Sequence, residues 1–318
     1  MTTVTIGLLN YNTAGETEQA LRTLPAAAGG VDARIVVIDN ASSDDSLARL
    51  AAWQKQAGPG GAFPVFDLIA LPANLGFAGA FNRLFTYAIS EFYLLLNSDI
   101  LLPPGSVAEM IDSMRQRPRA GLAGVALRRE DGSAQSSFGA YPTLASELLN
   151  RSLYQKMAMA QARGAREPFA VECIVGAVML VRREAYEQVG GLDERFFFFL
   201  EETDWCKRMT MTGWLVLHLP GIEVVHLQGR AANRRPVRAR IEFHRSRIIY
   251  FMKHHGPVST FVLIAGTAVR LMVNMLAQLV LTLVTLGLWR TARHRLIMYA
   301  TLLAWYFCGR PDGWGLRK

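Results

Sequence analysis

The sequence FYLLLNSD at residues 92–99 places five apolar residues directly before three polar ones. A short, continuous apolar run that ends in turn residues is typical of a buried strand. Two similar runs precede it, VTIGLL at residues 4–9 and RIVVI at residues 34–38, and both also end in polar residues. Helical spacing lies between the runs, at residues 17–24, from residue 46 onward and at residues 77–90. This alternation predicts an α/β fold in which a mainly parallel sheet is covered by helices on both faces.

Further strands are expected between and after these runs. A weaker one is predicted at residues 65–70, a continuous one at residues 173–181, and two more at residues 214–217 and 222–226. Residues 128–166 lack clear alternation, and we interpret them as loops and a helix that form a variable segment. In a sheet of this kind the ligand crevice lies beyond the carboxyl ends of the strands, where the polar clusters of this sequence occur.

The composition indicates a basic protein with one concentrated patch. Lys and Arg outnumber Asp and Glu by 34 to 26 in 318 residues. Much of the excess lies in residues 228–253, where eight basic residues face Glu242 alone. Such a patch suits anionic lipid head groups or a phosphate-bearing substrate. No recognised nucleic-acid module accompanies it, so we expect no nucleic acid partner. The basic residues are Arg230, Arg234, Arg235, Arg238, Arg240, Arg245, Arg247 and Lys253.

The three cysteines and the N-terminus indicate the compartment. Cys173, Cys206 and Cys308 are far apart and form no zinc-binding spacing, which favours a reduced, cytosolic environment. The chain starts with a strand pattern, so we expect no signal peptide.

Polar residues follow two of the strong strands. Asp39 and Asn40 could accept hydrogen bonds from a base or from ribose hydroxyls, or could belong to a turn that caps the next helix. The Asp99 carboxylate could reach a divalent cation beside a diphosphate, or could end the strand in an ordinary turn. His226 follows a predicted strand and is a metal ligand only if it meets Asp99 in space. These alternatives stay open on the residues alone.

An acidic cluster follows the aromatic run at residues 196–199. Glu201, Glu202 and Asp204 come directly after apolar residues, and a partly desolvated carboxylate binds a proton more tightly, which suits a general base. On a helix that begins here, Glu201 and Asp204 share one face and Glu202 points elsewhere. Acidic residues also favour a helix N-terminus for structural reasons alone.

These clusters together resemble, in order, the family-2 glycosyltransferases with the GT-A fold, and most of all their rhamnosyltransferase-like branch, over residues 3 to 250. The matching motifs are NYN at 10–12, VIDNASSD at 37–44, NLGFAGAFN at 74–82, LLNSD at 95–99, GAVML at 176–180, GLDERFF at 191–197, EETD at 201–204 and PG at 220–221 before His226.

The resemblance implies a set of site residues. Asp39 would bind the uracil or thymine ring beside the Leu9-Asn10 backbone, and Asn74, Gly79 and Asn82 would hold ribose and diphosphate. Residues 97–99 occupy the place of the family's DXD motif, with Asn in its first position. Asp99 and His226 would therefore be the ligands of Mg²⁺ or Mn²⁺. Glu202 stands at the position of the catalytic base, Glu201 and Asp204 are its close neighbours in the predicted catalytic group, and Asp204 is the rival for the role of base. The whole predicted donor site is Leu9, Asn10, Tyr11, Asp39, Asn40, Asn74, Gly79, Asn82, Asn97, Ser98 and Asp99.

The implied reaction is an inverting single displacement that needs one base. The donor would be a dTDP- or UDP-sugar, with dTDP-rhamnose first, and the acceptor a glycan or a polyprenyl-diphosphate-linked glycan of the cell envelope. The resemblance implies a GT-A catalytic domain at residues 1–228, with a nucleotide-sugar half to about residue 100 and an acceptor half from about residue 101. Residues 229–318 are expected to form a basic linker and membrane-associated helices. Two alternatives stay open, a nucleotidyltransferase and an inactive, membrane-anchored nucleotide-sugar-binding protein.

The C-terminal region is apolar and flanked by basic residues. Residues 257–289 are apolar apart from one stripe of polar residues at helical spacing, and a second apolar run covers residues 296–308. Because basic residues flank both runs, we expect helices that lie in the cytoplasmic leaflet of the inner membrane. Spanning helices and a helical homodimer interface are the alternatives. The stripe consists of Arg270, Asn274, Gln278, Thr282 and Thr285.

Overall fold

The computed structural model describes residues 2–57, 65–150, 152–153, 164–227 and 236–317. The strands are β1 (Thr2–Asn10), β2 (Ala33–Asp39), β3 (Asp67–Ala70), β4 (Ser90–Asn97), β5 (Ile100–Leu101), β6 (Ala120–Arg128), β7 (Ala134–Gln135), β8 (Phe138–Gly139), β9 (Phe169–Ala170), β10 (Cys173–Ile174), β11 (Val178–Arg182) and β12 (Leu215–His226). The helices are α1 (Ala14–Ala28), α2 (Ser46–Gln56), α3 (Gly76–Tyr87), α4 (Ser106–Arg115), α5 (Leu144–Leu148), α6 (Arg183–Val189), α7 (Glu201–Met211), α8 (Pro236–His254), α9 (Gly256–Val284) and α10 (Arg290–Phe307), with a 3₁₀ turn at Asp312–Trp314.

The described residues fall into two compact units. The first lies within Met1–Tyr141, Tyr154–Glu194 and Glu201–Ala231, and the second within Pro142–Leu153, Arg195–Leu200 and Ala232–Lys318. Two short segments before residue 228 thus group with the C-terminal helices. The functional boundary between residues 228 and 229 stays a prediction, and both residues beside it lie outside the described ranges.

The first unit is built on a mixed sheet with the strand order β3-β2-β1-β4-β11-β6-β12-β5. The strands β3, β2, β1 and β4 run parallel to one another, and β6 and β12 run parallel to each other. The strand β11 is antiparallel to both β4 and β6, and therefore joins the two parallel parts. The prediction of an α/β fold with a mixed, mainly parallel sheet is confirmed.

The core of the first unit explains why the strands are continuous apolar runs. Val36, Val37 and Ile38 in β2 are fully buried, because residues on both faces of a strand between two helical layers are covered. The helix α3 packs so closely on β1 that a Cβ at Gly7 would lie 2.6 Å from Leu84 Cδ2. A larger residue at position 7 would therefore require the Leu84 side chain to move.

Two strand predictions are wrong in detail. The continuous strand at residues 173–181 is divided into β10, which pairs with β8, and β11, which pairs with β4 and β6. Gly176 and Ala177 lie in the break, and the Ala177 carbonyl accepts the Asn97 N–H at 3.0 Å. In contrast, the two strands expected at residues 214–217 and 222–226 form one strand, β12, whose register shifts between Leu219 and Glu223.

The second unit is helical. Phe196 and Leu200 pack with Tyr250, Phe251 and Leu263 in one cluster. A second cluster joins α8, α9 and α10 through the residues Ile241, Leu271, Leu302, Leu303 and Trp305.

The helix α9 turns apolar side chains outward over much of its length. Among the described residues it is the one helix long and apolar enough to span a bilayer. Its most apolar stretch of 18 residues has a mean hydropathy of 1.7, and 22% of that stretch is buried. Four residues of the predicted polar stripe are half-buried, and the exposed positions of α9 apart from Arg270 are apolar or alanine. This arrangement is the reverse of a helix on the surface of a water-soluble protein. The outward residues include Val258, Phe261, Val269, Val273, Leu276, Val280, Leu283 and Val284, with exposed fractions of 50–77%.

Candidate active site

The polar residues at the ends of β1 and β2 form one hydrogen-bonded group. Asn10 and Asp39 are register partners on adjacent parallel strands, and Asn10 Nδ2 donates to Asp39 Oδ1 at 2.7 Å. The Ser42 hydroxyl donates to the same oxygen at 2.6 Å, and the Ser42 N–H donates to Asp39 Oδ2 at 3.0 Å. Both oxygens of the Asp39 carboxylate are thus fixed in position, at the edge where a nucleotide base is expected.

A second link joins this group to the end of β4. Thr13 Oγ1 lies 3.2 Å from Asn10 Oδ1 and 2.9 Å from Ser98 Oγ. Leu9 in β1 is the register partner of Asn97. The ends of β2, β1 and β4 therefore meet side by side, as the rule for parallel strands predicts. Tyr11 follows β1 directly and is half-exposed.

The loop before α3 is fixed to the same edge by two asparagines. Asn40 Nδ2 donates to Asn74 Oδ1 at 3.0 Å and to the Gly76 carbonyl at 3.1 Å. Asn40 Oδ1 accepts the Leu75 N–H at 2.8 Å. The predicted ribose-binding residues Asn40 and Asn74 are therefore adjacent, and the helix α3 begins directly after them.

The amide of Asn82 is engaged within the protein. Its Nδ2 donates to the Leu192 carbonyl at 2.9 Å and to Glu194 Oε1 at 3.0 Å, while its Oδ1 accepts the Leu192 N–H at 2.9 Å. A Cβ at Gly79 would lie 3.6 Å from Glu194 Oε2 and 2.9 Å from Leu75 Cβ. Asn82 thus joins the GLDE segment to α3, and its predicted contact with the diphosphate stays a prediction.

Asp99 and His226 meet in space. The loop after β4 and the end of β12 bring His226 Nε2 to 3.4 Å from Asp99 Oδ1. On the other side of the ring, His226 Nδ1 lies 3.0 Å from Gln135 Nε2 in β7. The Leu227 N–H donates to the Asp99 carbonyl at 3.0 Å and fixes the two segments together. A shallow, open depression beside them is lined by Arg129, Glu130, Asp131, His226 and Leu227.

The Asp99–His226 pair fits a divalent cation by its chemistry. A carboxylate oxygen and an imidazole nitrogen are both ligands of Mn²⁺, and the oxygen suits Mg²⁺ as well. Within the described ranges no group of three or more His, Cys, Asp or Glu residues could hold a metal. Two protein ligands are sufficient where phosphate oxygens and water complete the coordination shell.

The three acidic residues at the start of α7 have different surroundings. Asp204 is fully buried and its Oδ2 lies 2.8 Å from Arg208 Nε. Arg208 also donates to the carbonyls of Val189 at 3.0 Å and Gly191 at 2.7 Å, so the pair holds several segments together. Glu201 is 4% exposed. These positions agree with the expectation that Glu201 and Asp204 share a face.

Glu202 is half-exposed and lies beside the break between β10 and β11. A Cβ at Gly176 would lie 3.4 Å from Glu202 Cβ and 3.6 Å from the ring of Phe77 at the start of α3. A glycine at position 176 therefore leaves room next to this carboxylate. The Thr203 hydroxyl donates to Glu202 Oε1 at 3.3 Å. Two non-glycine residues with positive φ, Phe199 at 74° and Leu200 at 66°, precede α7, and such backbone strain is common near functional sites.

The thiol near this carboxylate is not available for chemistry. Burial raises the pKa of Cys206 well above its usual value, with smaller contributions from Cys173 and Glu202. Its thiolate is therefore absent at neutral pH, and the pair of buried cysteines behaves as part of the core.

Several residues of the site were missed by the sequence analysis. Gln135 lies in a two-residue strand within the irregular region, where no periodicity identifies it. Thr13 and Ser42 belong to turn sequences, and their roles follow only from the convergence of β1, β2 and β4. Arg208 follows Asp204 by four residues on α7, and this spacing is a signal that could have identified the ion pair.

Comparisons with known proteins agree with this geometry. Residues 5–190 match the family described as Glycosyl transferase family 2. The chain is 29% identical over 240 residues to the N-acetylglucosaminyl-diphospho-decaprenol L-rhamnosyltransferase of Mycobacterium tuberculosis, over 70% of this chain and 75% of that protein. It is 25% identical over 198 residues to the dTDP-rhamnosyl transferase RfbF of Shigella flexneri, over 61% of this chain and 60% of the relative.

A solved structure shares the fold. The mannosyltransferase PcManGT from Pyrobaculum calidifontis, in complex with GDP-Man and Mn²⁺, matches with a TM-score of 0.54 and 17% identity, over 97% of this chain and 87% of that one. The expected GT-A fold is confirmed by this likeness together with the family match.

Proposed function

The chain belongs to glycosyl transferase family 2, and from this membership we propose that it transfers L-rhamnose from dTDP-rhamnose to a polyprenyl-diphosphate-linked glycan. The names of two relatives support this choice. One is a dTDP-rhamnosyl transferase, and the other is an L-rhamnosyltransferase named for N-acetylglucosaminyl-diphospho-decaprenol. The process served would be the synthesis of a cell-envelope polysaccharide.

One observation supports the proposal above all others. Asp39, Asn10, Thr13 and Ser98 form a connected polar group across the carboxyl ends of three adjacent strands. A nucleotide-diphosphate sugar fits such an edge, with its base at Asp39 and its ribose near Asn40 and Asn74. Because Asp39 already accepts three hydrogen bonds, it is held ready to accept one more from the N–H of a thymine or uracil ring.

We assign a divalent cation to the Asp99–His226 pair. Mg²⁺ or Mn²⁺ bound there would supply positive charge that stabilises the departing nucleotide diphosphate. The protein's own part is orientation, because Gln135 contacts the second ring nitrogen of His226 and fixes the plane of the imidazole. Asn97, in the first position of the motif, offers an amide instead of a carboxylate, and we assign it to a hydroxyl or phosphate oxygen of the donor.

We assign the general base to Glu202. In a single displacement the acceptor hydroxyl oxygen forms a bond to the anomeric carbon while the bond from that carbon to the diphosphate oxygen breaks. The hydroxyl proton passes to the Glu202 carboxylate, and the configuration at the anomeric carbon is inverted. Glu202 suits this role because it is half-exposed beside Gly176. Asp204 is less suited because its carboxylate is paired with Arg208 in the core.

The C-terminal helices suit attachment to the cytoplasmic face of the inner membrane. The outward side chains of α9 are apolar, and Arg290, Arg293 and Arg295 at the start of α10 are exposed. Apolar and basic residues on neighbouring surfaces are the requirement for a helix that lies among anionic head groups. A helix that spans the membrane would resist extraction by high salt and alkali, and a homodimer would sediment at twice the monomer mass.

A panel of nucleotide sugars tests the proposal. Thermal unfolding of the full chain would be followed with dTDP-, UDP- and GDP-sugars, each with and without Mn²⁺. We expect dTDP-rhamnose with Mn²⁺ to stabilise the wild type most, and Asp99→Ala to lose the Mn²⁺ effect. Asp112→Asn on α4, an exposed carboxylate away from the strand ends, is the matched control. Stabilisation by GDP-sugars alone would contradict the role given to Asp39.

A further inference from the structure

The turn between α9 and α10 is compact and has apolar side chains on its outside. The two helices pack against each other, so residues 285–289 form the tip of a helical hairpin. Within this tip the Gly287 N–H donates to the Thr282 carbonyl at 2.7 Å. Leu286 is 86% exposed and Leu288 is 82% exposed, and no other large apolar side chain of the described residues is as exposed as these two.

The backbone at Leu286 makes an apolar side chain there unusual. Leu286 has φ 48° and Gly287 has φ 72°, so both residues lie in the left-handed region. Glycine and asparagine adopt this region with less strain than leucine, and an asparagine side chain would also be solvated by water. A leucine that is both strained and turned toward water indicates a functional role, in which an apolar partner covers its side chain.

Uncompensated positive charge follows the tip directly. Arg290, Arg293 and Arg295 at the start of α10 are exposed. Residues 243–311 contain no Asp or Glu, and none of the three arginines forms an ion pair with the part of the chain that the structure describes. Cations at the start of a helix oppose its macrodipole, so these arginines do not serve the stability of α10. Their position indicates an anionic partner.

The arginines of α8 show the contrast. Arg245 Nη1 lies 3.0 Å from Glu242 Oε2, and Arg247 Nε lies 2.7 Å from Glu147 Oε2. Their charges are compensated within the protein, so this part of the predicted basic patch is structural. Three other residues of that patch lie outside the described ranges, namely Arg230, Arg234 and Arg235.

A second copy of the chain and an anionic bilayer are the two partners to compare. A symmetric contact between two copies would bring identical arginine clusters together, and their repulsion opposes that contact. An anionic bilayer offers both kinds of chemistry, with phosphates at its surface and acyl chains directly below them. The exposed Trp289 stands between Leu288 and Arg290, and tryptophan is enriched at this boundary between apolar and polar layers. The bilayer is therefore the better partner.

We propose that the hairpin tip enters one leaflet of an anionic bilayer. Leu286 and Leu288 lie among the acyl chains, and the arginines at the start of α10 bind lipid phosphates. The arginines limit the depth of entry, because carrying them through the apolar core would be costly. The hairpin therefore does not cross the bilayer. This inference rests on the membrane attachment of the proposed function, and it identifies the segment and the lipid charge responsible for that attachment.

Binding to vesicles tests the role of the arginines. The full chain would be sedimented with vesicles of phosphatidylcholine alone or with added phosphatidylglycerol. We expect Arg290→Gln/Arg293→Gln/Arg295→Gln to bind the phosphatidylglycerol vesicles about 100-fold more weakly than the wild type does, at roughly fivefold for each arginine. A matched control removes three exposed charges of the first unit and should bind as the wild type does, namely Lys55→Gln/Arg119→Gln/Arg166→Gln.

Fluorescence tests which segment enters the leaflet. A nitrobenzoxadiazole label would be attached to a Leu286→Cys variant in which Cys308→Ser removes the exposed thiol. We expect its emission to shift to the blue and to gain intensity on phosphatidylglycerol vesicles, whereas the same label on Lys55→Cys should not change. Leu286→Asn/Leu288→Asn should lose vesicle binding but fold normally, because asparagine tolerates the backbone conformation at position 286.

Three results would overturn the proposal. The arginine variant could keep the wild-type preference for phosphatidylglycerol, or the label at position 286 could stay in water while the protein is bound to vesicles. A dimer in lipid-free buffer that Leu286→Asn/Leu288→Asn dissociates would assign the tip to a second copy instead. Failure of the proposed function would look different, since vesicle binding would depend on the tip as expected while no nucleotide sugar stabilised the protein. Donor-induced stabilisation should be unchanged in every variant of the tip.

Discussion

The substitutions Glu202→Gln and Asp204→Asn should separate chemistry from stability at the start of α7. Both replace a carboxylate by an amide of the same shape, and the two residues are two positions apart. Glu202 is half-exposed beside Gly176, whereas Asp204 is fully buried against Arg208. We expect Glu202→Gln to lose turnover at unchanged stability and Asp204→Asn to lose stability first.

The magnitude for Asp204→Asn follows from its contacts. Arg208 is 19% exposed, lies 2.8 Å from Asp204 Oδ2, and also donates to the carbonyls of Val189 and Gly191. Removing one partner of a buried ion pair costs about 3–5 kcal/mol, because the remaining charge is left uncompensated. In a domain of this size each kcal/mol lowers the Tm by about 2–4 °C, so a fall of roughly 6–20 °C is expected.

The magnitude for Glu202→Gln follows from its proposed chemistry. A positioned general base contributes about 10²- to 10⁴-fold to the rate, so kcat should fall by that factor while KM for the donor changes little. Glu202→Gln should leave the Tm unchanged, unlike Asp204→Asn, because a half-exposed amide is solvated by water as the carboxylate is.

Two measurements on the same preparations decide which of the two residues is the general base. Thermal unfolding gives the stability of each variant, and transfer of a labelled sugar at a temperature where both variants are folded gives kcat. Asp112→Asn on α4, an exposed carboxylate, is the control for loss of a carboxylate outside the proposed proton transfer. The assignment is refuted if Asp204→Asn is as stable as the wild type but inactive, while Glu202→Gln keeps its turnover.

Three further predictions concern the metal site, the pH dependence and the membrane surface. Gln135→Ala should weaken Mn²⁺ binding by about 10- to 100-fold in a titration followed by electron paramagnetic resonance, because His226 loses its orienting partner; an unchanged affinity would remove Gln135 from the site. Burial lowers the pKa of His218 from 6.5 to about 4, so the unfolded state binds more protons and the free energy of unfolding should fall as the pH decreases from 6.5 to 4. His218→Asn should flatten that slope in denaturant titrations at several pH values, and an equally steep slope would contradict the assignment. Val280→Asp/Leu283→Asp should release the protein from anionic vesicles at unchanged donor binding, and full retention would exclude α9 from the membrane surface.

Much of the fold and of the donor edge could be predicted from the sequence because a single physical rule governs both. Strands buried on both faces are continuous apolar runs, and polar residues at the carboxyl ends of parallel strands lie at one edge. Asp39 and Asn10 accordingly meet. Asp99 and His226 meet as well, but their proximity could not be predicted from the sequence. It depends on the position of β12 beside β6 and β5, which the whole sheet determines.

Other features depend on contacts that no periodicity contains. The break at Gly176 cannot be predicted from a continuous apolar run. It arises because β10 and β11 pair with different strands. Helical spacing predicted that Glu201 and Asp204 share a face, yet the burial of that face follows from where α7 packs. Amphipathic spacing also does not tell which face of α9 is turned toward the protein.

Transfer of labelled rhamnose from dTDP-rhamnose to N-acetylglucosaminyl-diphospho-decaprenol by the full chain tests the central claim most directly. The account predicts a labelled lipid product that requires Mn²⁺ or Mg²⁺ and is lost in Asp99→Ala, while the Asp112→Asn control retains it. A wild-type protein that binds dTDP-rhamnose but forms no product with any lipid-linked or free glycan, or an Asp99→Ala variant with full activity, would contradict it.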